Sequence, residues 1–420
     1  MIYRTIKKNG YNLHIIKTTR FKTISMKLVF WNELKEDELS LRNMLADNLL
    51  FSCSKYNNNQ KMAIKKQDLY SINLYGSTYR IGTQINTEIG LSCIEDKYTE
   101  PGNFKEALDF LFECLYNPNV CNGQFDETAF AITKKRLIAA LQSEKDNPAN
   151  YCYQRYKQII GNKKVLTGSI LGTIDSIEKI TPEALYDYYK RLFKENHLDI
   201  YVVGNIDEKF IEEYLEKFVN IDSSNIKYTK ASTTYEKDFT ENVEPSSFNQ
   251  SKLLMGGSIK DLTEHEKKYE SIIYNIILGN SPNSKLFQNV REKKSYAYTI
   301  SSSLVRLDGM FVISAGISYK NFINTKKEIQ KELNQMKLGK FSLKSIKNAK
   351  EMILSILKEI EDSPWSIIDH YNNYLYYGAD SIEVQKEEIK KVTKQDIINV
   401  AKKISIDTIY LLKEDTYEKN

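Results

Sequence analysis

The residues best placed to do chemistry lie between Asn280 and Tyr298, in NSPNSKLFQNVREKKSYAY. Leu286, Phe287 and Val290 are spaced for one helix face, Arg291 follows at the rim of that face, and Tyr298 opens the next strand. A rim arginine can aim five fixed donors at carbonyl oxygens, and a tyrosine hydroxyl can do the same from a strand. Periodicity alone favours an ordinary surface arginine and a core tyrosine over a working pair. Elsewhere the chemistry is thin. The four histidines, His14, His197, His265 and His370, offer no metal-pair spacing. His265 reads as a solvated helix start and His197 as a loop residue before a strand. Gly256-Gly257 lacks the lysine and hydroxyl residue of a phosphate loop, and no G-x-S-x-G elbow occurs. The five cysteines, Cys53, Cys93, Cys114, Cys121 and Cys152, form no C-x-x-C pair and read as buried structural thiols, with Cys53 the conceivable nucleophile.

Around these residues stand 420 positions, 41% apolar and 27% charged, enough to build proper cores. Sixty basic residues against 55 acidic ones leave +5, which gives no support to nucleic-acid or membrane-surface binding. No apolar run approaches the ~18 residues of a membrane span. Met1 to Gly10 has basic residues without an apolar core behind them, so no secretion signal is expected. A soluble cytoplasmic protein is the expectation.

The chain repeats itself once. KKRLIAALQSEKDNP (134–148) lies over KEMILSILKEIEDSP (350–364), Gly161 falls near Gly378, and KITPEAL (179–185) echoes KVTKQDI (391–397). Each is followed by an apolar strand, one ending at Gly204 and the other at Leu412. Three matches in one order point to a duplication. Residues 222–251, rich in Ser, Thr and Asn, read as a linker between an N-terminal half (1–221) and a C-terminal half (252–420). Strand alternation runs through Tyr79, Ile81, Thr83 and Ile85, and again through Ile89, Leu91 and Cys93. It recurs from Tyr298 to Leu304 and from Phe311 to Ile317, around a turn at Asp308-Gly309. A helix with Asn103 and Glu106 as capping pair carries Ala107, Leu108, Leu111, Cys114 and Leu115 inward and stops before Pro118. A second begins near Glu266 and ends at Gly279. Each half therefore reads as α+β, an antiparallel sheet with helices packed on one face, and the halves together as a clam-shell.

At this point the sequence resembles the insulinase/pitrilysin metallopeptidases, in their smaller bacterial and mitochondrial-processing-peptidase-like branch. Their second-half signature is close to S-S-R-L-F-Q-x-V-R-E-K-x-G-L-A-Y; this chain has NSKLFQNVREKKSYAY, departing at Ser295 and Tyr296 but keeping Arg291 and Tyr298. The likeness extends over most of the chain. The family's catalytic signature, H-x-x-E-H, sets two histidines one helical turn apart to hold zinc, with the glutamate as general base. Here Met44 and Asn48 occupy the histidine positions and Asp47 the base position. A thioether and a neutral amide are poor zinc ligands beside imidazole. The family's third ligand is a glutamate from the later helix, yet residues 128–143 carry no acidic side chain and include Lys134, Lys135 and Arg136. The resemblance thus implies a chain with no metal and no catalytic residues of its own.

It also implies a role. The chain resembles the non-zinc subunit of bacterial heterodimeric members, where a zinc-motif partner cleaves peptides and Arg291 and Tyr298 would grip the substrate backbone. Family substrates are peptides or unfolded segments laid along a sheet edge. Such pairs mature ribosomally made peptides by removing leaders, or belong to a system linked to modification of a translation elongation factor. FKTISMKLVF (21–30) and Leu74 to Ser77 are most similar to non-zinc members of that second group. The alternatives are a scaffold homologue and a peptide-binding protein without proteolysis.

Overall fold

The fold was analysed in a computed structural model, which describes residues 2–160, 167–219, 238–259, 262–378 and 380–415. The chain divides into two compact units. The first comprises residues 1–143, 169–230 and 361–372; the second comprises 144–168, 231–360 and 373–420.

The first unit is built on strands β1 (Ile2–Lys8), β2 (Tyr11–Lys17), β3 (Thr23–Glu33), β4 (Asn73–Ile81) and β5 (Gln84–Ile94). A short hairpin, β6 (Val120–Cys121) with β7 (Gln124–Phe125), precedes β8 (His197–Gly204). The sheet order is β1-β2-β8-β3-β5-β4. The second unit adds β9 (Thr240–Pro245), β10 (Ser251–Ser258), β11 (Ala297–Val305), β12 (Met310–Ile317) and β13 (Thr408–Lys413), in the order β11-β12-β10-β13-β9. Read from its other edge, the second sheet repeats the first strand for strand, with β1 as the extra member. Each is antiparallel apart from one parallel pair, β2 with β8 and β9 with β13. The helices repeat in step: Glu127–Asp146 matches Leu343–Glu359, Pro148–Ile160 matches Pro364–Tyr377, and Pro182–Glu195 matches Lys394–Lys403. The internal duplication read from the sequence is therefore present in the fold.

Each sheet carries its main helix layer on one face. In the first unit Leu28, Phe30, Ile89 and Leu91 point into a core shared with the helices Leu39–Phe51 and Asn103–Tyr116. In the second, Leu253, Met255, Ile313, Ala315 and Leu411 meet Ile273, Ile329 and Ile353. The opposite face of each sheet is covered as well, by a single helix. Leu254, Val312, Tyr410 and Leu412, alternating with the core set, bury Cys152 and Tyr156 of the helix Pro148–Ile160. In the first unit Lys27 of β3 pairs with Asp369 at 2.7 Å, and Tyr201 of β8 donates to Asn372, both from the segment 361–372. Each unit thus holds a helix supplied by the other half of the sequence.

Several local expectations need correction. The alternation from Tyr79 to Ile85 spans two strands, because Gly82, at φ +56°, turns the chain back between β4 and β5. The helix Asn103–Tyr116 is not capped by Asn103 and Glu106; Asp96 accepts from the N–H groups of Gly102 and Phe104 at 2.9 and 2.7 Å. Of residues 222–251, those up to 237 lie outside the described residues, Thr240–Pro245 forms β9, and Ser251 opens β10. Its polar alternation TENVEP suits a half-exposed edge strand, which composition alone reads as loop. Gly161 also lies outside the described residues.

Gly256 and Gly257, unused as a phosphate loop, serve packing. A Cβ on Gly256 would lie 1.9 Å from the Tyr156 hydroxyl, and one on Gly257 1.8 Å from the Ser405 carbonyl oxygen. Backbone cannot retreat as a side-chain tip can, so Gly257→Ala is expected to destabilise by about 2–3 kcal/mol, as overpacked sites do. Urea unfolding followed by far-ultraviolet circular dichroism checks this; an unchanged midpoint would refute the close approach.

Candidate functional site

The zinc-motif positions sit on the helix Leu39–Phe51 in the first unit. Met44 is buried in the main core. Asn48, also buried, donates its side-chain amide to Thr133 Oγ1 at 3.1 Å, and Thr133 in turn donates to the carbonyls of Ala129 and Phe130. Asp47 faces Arg136 at 3.3 Å. Burial lifts the Asp47 carboxyl above its usual range, against the pull of Arg136. Arg136 also lies over the Phe51 ring, 5.2 Å from its centroid. Every motif position has found an apolar, amide–hydroxyl or ion-pair partner. The groups converging here are a thioether, a neutral amide, a hydroxyl and a carboxylate already matched by a guanidinium, and this donor set does not fit zinc. Among the described residues no group of three or more His, Cys, Asp or Glu side chains could hold a metal ion.

Cys53, beyond the end of the same helix, is fully buried against Cys114 in the main core. That burial gives no access to a substrate. Cys93, Cys114 and Cys152 are buried too, whereas Cys121 is exposed in its short hairpin, against expectation.

Arg291 and Tyr298 lie in the second unit, in three successive backbone irregularities. Phe287–Glu292 is wound as a π-helix, with Leu286 and Val290 fully buried beneath it. The wider turn sends Arg291 outward, stacked on Phe287 at 4.6 Å, with its Nε 3.5 Å from Glu292. Its side chain is 42% exposed. Ser295 then adopts φ +53°. Glycine, which the resembling signature carries at this position, adopts such a backbone without penalty. Finally the ladder between β11 and β12 slips between Ala297 and Thr299, so Tyr298 is the bulged residue. Tyr298 is 62% exposed, which overturns the reading of a core tyrosine. Isolated π turns and bulges are costly and recur where a side chain must be re-aimed. Ser295→Gly is expected to raise stability by about 0.5–1 kcal/mol by relieving the left-handed strain, net of glycine's greater unfolded freedom. A thermal melt showing a lower midpoint would contradict it.

β11 is an edge strand, and from Ala297 to Val305 (AYTISSSLV) it carries no charge and no proline. The far edge of the same sheet, β9, has two glutamates and a proline. Edges are ordinarily blunted by such residues, so β11 is the edge left able to accept another strand.

One cluster escaped the sequence reading. Asp199 of β8 is fully buried and accepts from His14 Nε2 at 2.9 Å, Asn12 Nδ2 at 3.0 Å and Trp31 Nε1 at 2.6 Å. A carboxylate only accepts, so His14 carries a proton on Nε2; its Nδ1 lies 2.9 Å from the Tyr3 hydroxyl, which itself accepts from Thr5 at 2.9 Å. Burial opposes the Asp199 charge, yet His14, His197 and Asn12 together hold its carboxyl below the usual range. His197, the first residue of β8 and not a loop residue, lies tilted against Trp31 with ring centroids 4.6 Å apart, and burial lowers its pKa. The signal lay in polar residues inside apolar strands, NLHII and HLDIYVV, which must be paired when buried. His265 is no plain solvated helix start either; it bridges Glu270 at 2.7 Å and Glu388 at 3.2 Å.

Comparison with known proteins agrees with this picture. Residues 179–353 match the family described as Peptidase M16 inactive domain. A probable inactive metalloprotease of Bacillus subtilis is 27% identical over 416 residues, 97% of this chain and 96% of that protein. A conserved protein from Enterococcus faecalis superposes with a TM-score of 0.91 at 25% identity, covering 99% of this chain and all of that one. A peptidase M16 inactive domain from Pseudomonas fluorescens shares the fold, with a TM-score of 0.82 at 15% identity over the full length of both chains. Residues 179–353 thus match the M16 inactive-domain family, and over its length the chain is similar to M16-type proteins. No helix among the described residues is long and apolar enough to cross a membrane.

Proposed function

We propose that the chain is the non-zinc subunit of a two-chain cytoplasmic peptidase, in which a zinc-motif homologue breaks the bond and this chain holds the substrate. Tyr298, exposed at a bulge on an uncharged edge strand a few residues after an outward Arg291, is the observation that carries this reading. A peptide added along β11 would gain main-chain hydrogen bonds, with the arginine and tyrosine donors turned toward its carbonyls. The donor set around Met44, Asp47 and Asn48 supports the division of labour, since it cannot supply an activated water. The similarity to a probable inactive metalloprotease of Bacillus subtilis supports it further. Peptide maturation, such as removal of a leader, is the corresponding task.

The test is reconstitution. The purified chain should contain no stoichiometric zinc and cleave no peptide, and co-expression with an H-x-x-E-H homologue should yield a complex that does both. Cleavage by the isolated chain, or failure of any such homologue to associate with it, would overturn the proposal.

A further inference from the structure

The second unit carries a cleft of about 390 Å³ between the helix Leu343–Glu359 and the turn joining Ile382–Lys391 to Lys394–Lys403. Along the first helix Leu343, Lys347, Lys350 and Leu354 form one stripe at i, i+4, i+7 and i+11, and Lys390 and Lys394 face them. Leu343 is 73% exposed, an unusual state for a leucine at the mouth of a cleft. The buried side chains of Ile346 and Val392 complete an apolar floor. Against four lining lysines stands one lining carboxylate, Glu351, 3.8 Å from Lys347. Lys390 also meets Glu387 at 2.7 Å, and Lys350 donates to the Lys390 carbonyl at 2.6 Å. In sequence, residues 337 to 350 carry Lys337, Lys340, Lys344, Lys347 and Lys350 and no acidic residue.

We propose that this cleft docks an acidic, leucine-rich segment of a partner protein, seating its apolar side chains on Leu343 and Leu354 and its carboxylates on the lysine rim. The charge is complementary to such a segment and to few others, because an apolar floor ringed by ammonium groups leaves the floor uncovered by any purely ionic ligand. Nucleic acid would use the rim and leave the leucines wet. Burial lowers the Lys350 pKa while Asp396 pulls it the other way, and an arriving carboxylate would add to that pull. None of the lining residues belongs to β11, so the docking surface is separate from the edge proposed to hold substrate.

The experiment is fluorescence anisotropy of the full chain with a labelled peptide of repeating Glu-Glu-Leu-Leu. Saturable binding is expected, weaker as salt rises, and about tenfold weaker (about 1.4 kcal/mol) in the K347E/K390E variant. Leu343→Ser, which leaves every lysine in place, should weaken it comparably, as should replacing each glutamate of the probe by glutamine. No saturable binding, equal affinity for the glutamine probe, or unchanged affinity in both variants would overturn the proposal. So would tighter binding to phosphatidylglycerol vesicles or to single-stranded DNA than to the peptide.

Discussion

Arg291→Ala should lower kcat/KM of a reconstituted pair by about 10²-fold, the order expected when a charged donor aimed at a reacting or scissile carbonyl is removed. Three features place the guanidinium for this: the π-helix beneath it, its stacking on Phe287, and its orientation by Glu292. Its ion pair with Glu292 is through Nε, at 3.5 Å, and the side chain is 42% exposed, which leaves the planar fork accessible to a peptide. Arg291→Lys keeps the charge but loses the fork, so it should recover only part of the activity. Tyr298→Phe should cost about tenfold, a single neutral hydrogen bond. Gel filtration should show the two-chain complex intact in each variant, and kcat/KM with an unstructured peptide is the readout. Undiminished turnover in Arg291→Ala would remove the pair from the reaction.

Asp199→Ala should destabilise the first unit by about 3–5 kcal/mol, the cost of stripping one partner from a buried charged network. Three donors, on His14, Asn12 and Trp31, would be left facing an apolar cavity. The strands concerned, β2, β3 and β8, are neighbours at the centre of the sheet, and Tyr3 ties β1 to them through His14. Both tryptophans, Trp31 and Trp365, fall in the first unit, so their fluorescence during urea unfolding follows that unit specifically. The same carboxyl sets an acid limit. Its folded pKa lies below that of the unfolded chain, so its stabilisation is complete above about pH 4 and fades as pH falls through the folded value. An Asp199→Asn variant should lose much of this acid dependence, and a wild-type-like slope of stability against pH in that variant would show another group responsible.

The two-sheet architecture was largely legible because its signals are local: alternation in β5 and β12, the apolar stripe of Asn103–Tyr116, and a repeat long enough to see twice. The parallel pairing of β2 with β8 was not, since it joins residues such as Asn12 and Asp199 that are far apart in sequence. For the same reason the Asp199 cluster went unread, although Asp199 and His14 each interrupt an apolar strand. Arg291 could be placed at a rim from spacing, but Tyr298 could not be told from a core residue. A strict period-two pattern points it inward or outward according to register, and a one-residue bulge changes the answer. The loss of metal donors was readable from residue types alone, while what replaced them, an Asn48–Thr133 hydrogen bond and an Asp47–Arg136 pair, required the helices to be seen side by side.

The traded helices have a consequence for anyone who would dissect this polypeptide. Cutting the gene anywhere in 222–251 severs Pro148–Ile160 from the strands it shields and strips Lys27 of Asp369. Each fragment would keep its main core, but the C-terminal one would bare Leu254, Val312, Tyr410 and Leu412, and the N-terminal one would leave Lys27 and Tyr201 without their partners on 361–372. Duplication gave this protein two similar units, but each takes the cover of its second sheet face from the other half of the sequence, so neither face stays shielded unless the chain is kept whole.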